Sequence, residues 1–325
     1  MQSTTQNKHC DVTPDTIRTD PFHTLHQRRP LMLEARKAQE LLVKKIAACR
    51  TRGFLPTELL DLIEKIYTRQ LEARDQANVP AGEAVTIADA LQQSQGAPLV
   101  ERSRFPFDRD QAVALFHEFL GFLPSSIPAL AEAAAIISKA VEDGRLDLDA
   151  AMQAHLNGDE AWFSGWAKET PSAPRALPML VQAAMTPSLE RAALNLAART
   201  DLTKSWPHGH CPVCGSMPIM SDLREKEGFR YNICGFCHAE YHAVRLQCPF
   251  CLEKDMAKLE YYEAKEEPGV RINACKSCKM YIKQTDFRNL DRRALPLMDD
   301  LESLPLDVVA RDKKYKRPTL SAWGF

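Results

Sequence analysis

Apolar residues recur at helical spacing through the first two thirds of the chain. Ala35, Ala38, Leu42, Ile46 and Cys49 fall on one face, as do Leu60, Ile63, Tyr67 and Leu71, which is the three-and-four-residue recurrence of an amphipathic helix. Further stripes cover residues 112–120, 130–141 and 177–196, and Gly53, Pro56, Pro80-Ala81-Gly82, Pro124, Pro171 and Pro174 separate them. Few β-branched runs compete, so residues 29–204 predict a helical domain. Residues 1–28, rich in Thr, Asp, His and Pro and without a period, predict a poorly ordered arm. After Trp206 the texture changes to short segments punctuated by Gly and Pro, with strand-like pieces at 229–233 and 241–246. Helical spacing returns through Leu301, Leu304 and Val308 or Val309, followed by a basic run at Arg311, Lys313, Lys314, Lys316 and Arg317. Residues 291–325 therefore predict a C-terminal helix and a basic, solvated tail.

The 325 residues and their 45% apolar content suffice for two or three domains. Acidic and basic residues nearly cancel, 43 against 42, so no global field draws polyanions or anionic membranes. The first residues carry no continuous apolar core of the kind a secretory signal needs, and a cytoplasmic protein is expected. The most apolar stretch, 127–141, is interrupted by Glu132 and Lys139 and falls short of the roughly 20 residues of a membrane span.

Ten cysteines change the picture, because eight of them form four Cys-x-x-Cys pairs: Cys211/Cys214, Cys234/Cys237, Cys248/Cys251 and Cys275/Cys278. In a reducing compartment, thiols crowded in pairs read as metal ligands rather than disulfides. Two residues between cysteines let one turn aim both sulfurs at one ion, and two such turns complete a tetrahedral S4 site. The spacing divides the pairs into two zinc-ribbon modules, 205–246 and 247–290, with one metal each. Iron and zinc both suit such a site. A segment this short cannot fold on burial alone, so metal and fold are expected to be coupled.

His208, His210, His238 and His242 flank the cysteines, but eight sulfurs leave no ligand position for them. They read as exposed loop residues or donors to neighbouring groups. Cys49 reads as core packing and Cys10 as a bystander thiol. No phosphate-binding glycine loop, Gly-x-Ser-x-Gly elbow or His-Glu-x-x-His motif occurs, so no enzymatic centre is expected.

The segments HGHCPVCGSMP, YNICGFCHAEYHAVRLQCPFC and INACKSCKMYIK, with the tail MDDLESLPLDVVARDKKYKR, are similar in order and spacing to the FdhE family of formate dehydrogenase accessory proteins. The resemblance is good from 206 to 317 and poor before 176. Tyr241 stands where the family often has Trp, and the closing SAWGF also departs from the usual ending. The resemblance implies an α+β chain in which an all-helical N-terminal domain precedes two tandem rubredoxin-like modules. It further implies a link to iron and association with the catalytic subunit of formate dehydrogenase before that subunit matures.

Two other functions compete with an assembly factor. A nucleic-acid-binding zinc-ribbon protein calls for a basic, aromatic-rich face, whereas residues 205–290 carry about a dozen charges of each sign. A rubredoxin-like electron carrier calls for iron and hence colour. Homodimerisation is left open by the sequence.

Overall fold

The computed structural model describes residues 34–80, 84–263, 269–290 and 292–323. The arm expected over 1–28, with Cys10, lies outside the described residues. Eight helices come first: α1 (Ala35–Arg52), α2 (Thr57–Arg74), α3 (Ala90–Ser94), α4 (Arg109–Leu120), α5 (Pro128–Glu142), α6 (Leu148–Asn157), α7 (Glu160–Ala167) and α8 (Ala176–Ala197). The stripe from Ala38 to Cys49 and that from Leu60 to Leu71 are buried as expected. Aspartates cap several starts: the side chains of Asp108, Asp147 and Asp159 accept from amides in the first turns of α4, α6 and α7.

Helix α8 is buried around most of its circumference, as befits a helix surrounded by others, and it contacts α2, α4, α5, α6 and α7. Pro187 interrupts its hydrogen bonding, leaving the Ala183 carbonyl without an intrahelical donor. Gln70 of α2 supplies one, its Nε2 donating to the Ala183 oxygen at 2.8 Å.

The second part is one six-stranded sheet. Strands β1 (Pro218–Arg224), β2 (Phe229–Cys234) and β3 (Glu240–Ala243) form one antiparallel meander, and β4 (Leu259–Glu263), β5 (Val270–Cys275) and β6 (Tyr281–Asp286) form another. The order is β3-β2-β1-β6-β5-β4, so the first strand of one meander lies beside the last of the other. That junction is parallel, with Met220 opposite Lys283 and Leu223 opposite Asp286. Only 229–233 and 241–246 read as strand from the sequence. β1 escapes because it is buried on both faces yet holds Ser221 and Asp222, which breaks any alternation.

The tail forms two helices rather than one. α9 (Pro296–Glu302) packs on α1, and α10 (Leu304–Asp312) packs on β5. The break at Ser303 and the proline at the start of α10 shift the phase, so Leu306 and Ala310 are buried while Val308 and Val309 face solvent. The basic run is also not wholly solvated. Lys313 and Lys314 are exposed, but the nearly buried Arg317 side chain pairs with Asp300 and Asp307, beside a fully buried Lys283 paired with the same two carboxylates. No helix among the described residues is long and apolar enough to cross a membrane.

Candidate metal centres

The four pairs close into two clusters, Cys211, Cys214, Cys234 and Cys237 in one and Cys248, Cys251, Cys275 and Cys278 in the other. Each knuckle is built alike. The residue after the second cysteine, Gly215, His238, Leu252 or Lys279, takes a positive φ of 79°, 55°, 62° or 58°. This left-handed turn folds the chain back, and the amide of each first cysteine donates to the carbonyl five residues on: Cys211 to Ser216, Cys234 to Ala239, Cys248 to Glu253 and Cys275 to Met280, at 2.8–3.0 Å. The amides of Val213 and Phe236 point at the sulfurs of Cys211 and Cys234 from 3.4 and 3.3 Å. The sequence signals this turn at Gly215 alone. The three side-chain-bearing residues adopt it at a cost of roughly 1–2 kcal/mol each, which the closed knuckle must offset.

The sulfur spacing tests the fit of an ion. In the first cluster Cys211 and Cys237 are 3.8 Å apart and Cys214 and Cys234 3.4 Å. In the second, Cys248 and Cys278 are 3.7 Å apart and Cys251 and Cys275 3.6 Å. A disulfide would need about 2.05 Å. A tetrahedron with metal–sulfur bonds of about 2.3 Å has edges of about 3.8 Å. Each cluster therefore has the donors and the dimensions to hold one metal ion. Burial pushes the Cys211 and Cys237 thiols up and Cys278 up to about 11, so it is a bound cation that would keep these sulfurs as thiolates.

The two clusters differ in their surroundings. All four sulfurs of the first are buried, whereas Cys251 of the second is exposed and Cys278 half-buried. The first is embedded in the core shared with the helices. Leu99 and Val100 donate backbone hydrogen bonds to Pro212 and Val213 at 2.8 and 3.0 Å. Phe236, inside the second knuckle, is covered by Arg102 at 4.4 Å and touched edge-on by Phe105 at 5.6 Å. Burial pulls the Arg102 guanidinium below its usual range, while Cys214 and Cys234 favour its charge. Beside it, burial drives His155 down to about 3, so that ring is neutral. Arg102, Phe105 and His155 lie far from the cysteines in sequence, and no motif announces them.

None of the flanking histidines joins a cluster. His238 is buried rather than exposed, its Nδ1 2.8 Å from Glu190 of α8. His210 meets the Gly96 carbonyl and His242 the Thr203 carbonyl, both at 2.8 Å. The second cluster is tied internally by Glu253, whose carboxylate accepts from Ser277 at 2.7 Å and from the Asp255 amide at 3.0 Å. Those amide and side-chain donors hold its carboxyl near 2, well below the usual range. Gly209 joins the two clusters. Its φ is +83°, its carbonyl accepts the Tyr241 hydroxyl at 2.7 Å, and a Cβ there would stand 2.2 Å from the Pro249 carbonyl oxygen.

Comparisons with known proteins match this part of the chain most closely. Residues 210–245 fit the family model for the FdhE central domain and residues 246–322 that for the FdhE C-terminal domain. The FdhE homolog of Haemophilus influenzae strain PittGG is 39% identical over 119 residues, which are 36% of this chain and 38% of that protein. Protein FdhE of Escherichia coli K12 is 33% identical over 119 residues, with the same coverage. The matched stretch thus spans less than two fifths of these curated relatives. The crystal structure of the FdhE protein from Pseudomonas aeruginosa superposes with a TM-score of 0.62 at 26% identity, covering 89% of this chain and 95% of that one. Residues 210–245 and 246–322 thus match the central and C-terminal domains of the FdhE family, and the chain shares its fold with a solved FdhE protein along most of its length.

Proposed function

We propose that this protein is a cytoplasmic accessory factor for formate dehydrogenase, binding the immature catalytic subunit without itself oxidising formate. In this reading residues 205–246 and 247–290 are its two metal modules, and Cys211, Cys214, Cys234, Cys237, Cys248, Cys251, Cys275 and Cys278 are ligands to two iron or zinc ions. The observation that carries the reading is a pair of S4 clusters at tetrahedral spacing, on a chain whose fold follows a solved FdhE protein over most of its length. Affinity capture from the native host with wild type and with Cys211→Ser/Cys214→Ser tests it. Enrichment of a formate dehydrogenase catalytic subunit by the wild type supports the role, and recovery of nucleic acid and its machinery alone would end it.

The exposed sulfur of Cys251 favours a second reading, a rubredoxin-like electron carrier, since a metal there would lie at the surface. Iron at that site would absorb visible light and bleach reversibly on reduction. Filled-shell zinc would do neither.

A further inference from the structure

Beside the second cluster lies a cavity of about 200 Å³, lined by Cys248 and Cys275 and by three arginines, Arg230, Arg245 and Arg271. Among the described residues none of the three forms an ion pair, in contrast to the shielded Arg224 and Arg317, which meet carboxylates. Arg230 is only 3% exposed. Its Nε donates to Asn232 at 3.1 Å and its Nη1 to the Gln247 carbonyl at 3.0 Å, while its buried Nη2 has no partner. Arg271 spends Nε and Nη2 on the single oxygen of Gln284, at 2.9 and 2.7 Å. Arg245 donates to the Glu227 carbonyl, at 2.8 Å. Glu260 also lines the cavity, but Lys276 at 2.7 Å and the hydroxyls of Tyr262 and Tyr315 occupy its carboxylate.

A buried guanidinium with neutral partners is costly, and burial drags Arg230 down to about 10, with Arg271 adding to the effect. Cys248 favours the charge of Arg230, and four thiolates around a divalent ion would carry two negative charges, yet three guanidiniums still leave the cavity with an excess of positive charge. A guanidinium fork matches the oxygens of phosphate and carboxylate. At the rim, Leu246, Met256 and Tyr261 are 55%, 55% and 65% exposed, and Arg271 lies over the Tyr261 ring at 5.5 Å. Apolar and aromatic surface there suits whatever carries the anion. The volume is below the roughly 300 Å³ at which ordinary ligand pockets begin, so it holds a single group and not a polymer.

We propose that this cavity binds an oxyanionic ligand, a phosphate or carboxylate carried on a short apolar or aromatic stem, with the arginines gripping the oxygens and the exposed rim covering the stem. The test is calorimetric titration of the full-length, zinc-loaded protein at low ionic strength with phenyl phosphate, benzoate and inorganic phosphate. At least one aromatic probe should bind one to one and more tightly than inorganic phosphate. Arg271→Gln and Arg245→Gln should each weaken that binding about tenfold or more, and Arg109→Gln, at the exposed Asp149 pair, should leave it unchanged. Arg230→Gln should remove it, but because Arg230 also holds the Gln247 carbonyl, the outcome is decided by the Arg271 and Arg245 variants. Absence of saturable binding by all three probes, equal affinity for inorganic phosphate, or indifference to both arginine variants would each overturn the proposal. Purified protein suffices, so the result is independent of any partner enzyme.

Discussion

Single residues decide how each cysteine site is held. Arg102 places a cation beside a cluster whose four thiolates around a divalent ion would leave two negative charges in the core. Arg102→Met should therefore lower metal affinity at the first site about 10- to 100-fold, with the second site unchanged. Chelator competition that resolves the two sites checks this, and an equal loss at both would sink it. At Gly209 the left-handed φ and the 2.2 Å approach to Pro249 coincide. Gly209→Ala should cost at least about 1–3 kcal/mol in urea unfolding. His155 gives a pH signature. Its folded pKa, near 3, lies below the unfolded value of about 6.5, so between those values the unfolded chain binds a proton that the folded one does not. Stability is then full above about pH 6.5 and falls on acidification toward pH 3. His155→Phe should flatten that slope relative to wild type when both are zinc-loaded. The grouping of the eight cysteines into two clusters was legible from spacing, because the knuckle is local. Arg102 and His155 were not, because their roles arise only when α6 and the segment before α4 meet the knuckle in three dimensions.

Among the elements, the parallel junction of β1 and β6 depends on the tail. Lys283 of β6 is fully buried and paired with Asp300 at 2.8 Å and Asp307 at 2.7 Å, and Arg317 closes the network on Asp300. Asp300→Asn strips the charge that faces both cations and should destabilise the protein by about 3–5 kcal/mol. Thermal unfolding checks it, and a loss under about 1 kcal/mol would mean the network is neutral. Helices α1 and α2 were readable because their apolar positions keep one period over many turns, and α8 because its apolar run is too long for a strand. The strands were less so. They are short, and the buried Ser221, Asp222, Lys283, Gln284 and Thr285 put polar residues where a core pattern expects apolar ones. These polar groups follow from two small meanders sharing one sheet, a fact of tertiary pairing that no local window contains. The same blindness explains the tail, where Ser303 resets the helical phase and Arg317 turns inward.

At the scale of the molecule, the two clusters belong to different environments. The first sits within the main core under the helices, and the second borders a smaller core of Ile272, Ala274, Tyr281, Leu306, Ala310 and Tyr315. A chelator challenge of the zinc-loaded protein should release metal in two phases, fast from the site with exposed Cys251 and slow from the buried one, the slow phase tracking global unfolding. A single phase, with both ions leaving together, would show that the sites share one opening event. The family resemblance read well from 206 to 317, weakly over 176–202 and poorly before that, although the fold match extends along most of the chain. A helical fold can persist where sequence likeness fades, since a core accepts many side chains of suitable volume.

The pairing of β1 with β6 also bears on biosynthesis. Met220 and its neighbour Lys283 are 63 positions apart (283 − 220). At ribosomal rates of about 5–20 residues per second, β1 emerges roughly 3–13 s before the strand that will flank it. Through that interval the inner edge of the first meander is bare main chain on a nascent polypeptide, open to pairing with any extended segment nearby. Prompt metal capture by the first cluster would fix β2 against β1 and leave one edge, not two, waiting for the rest of the chain.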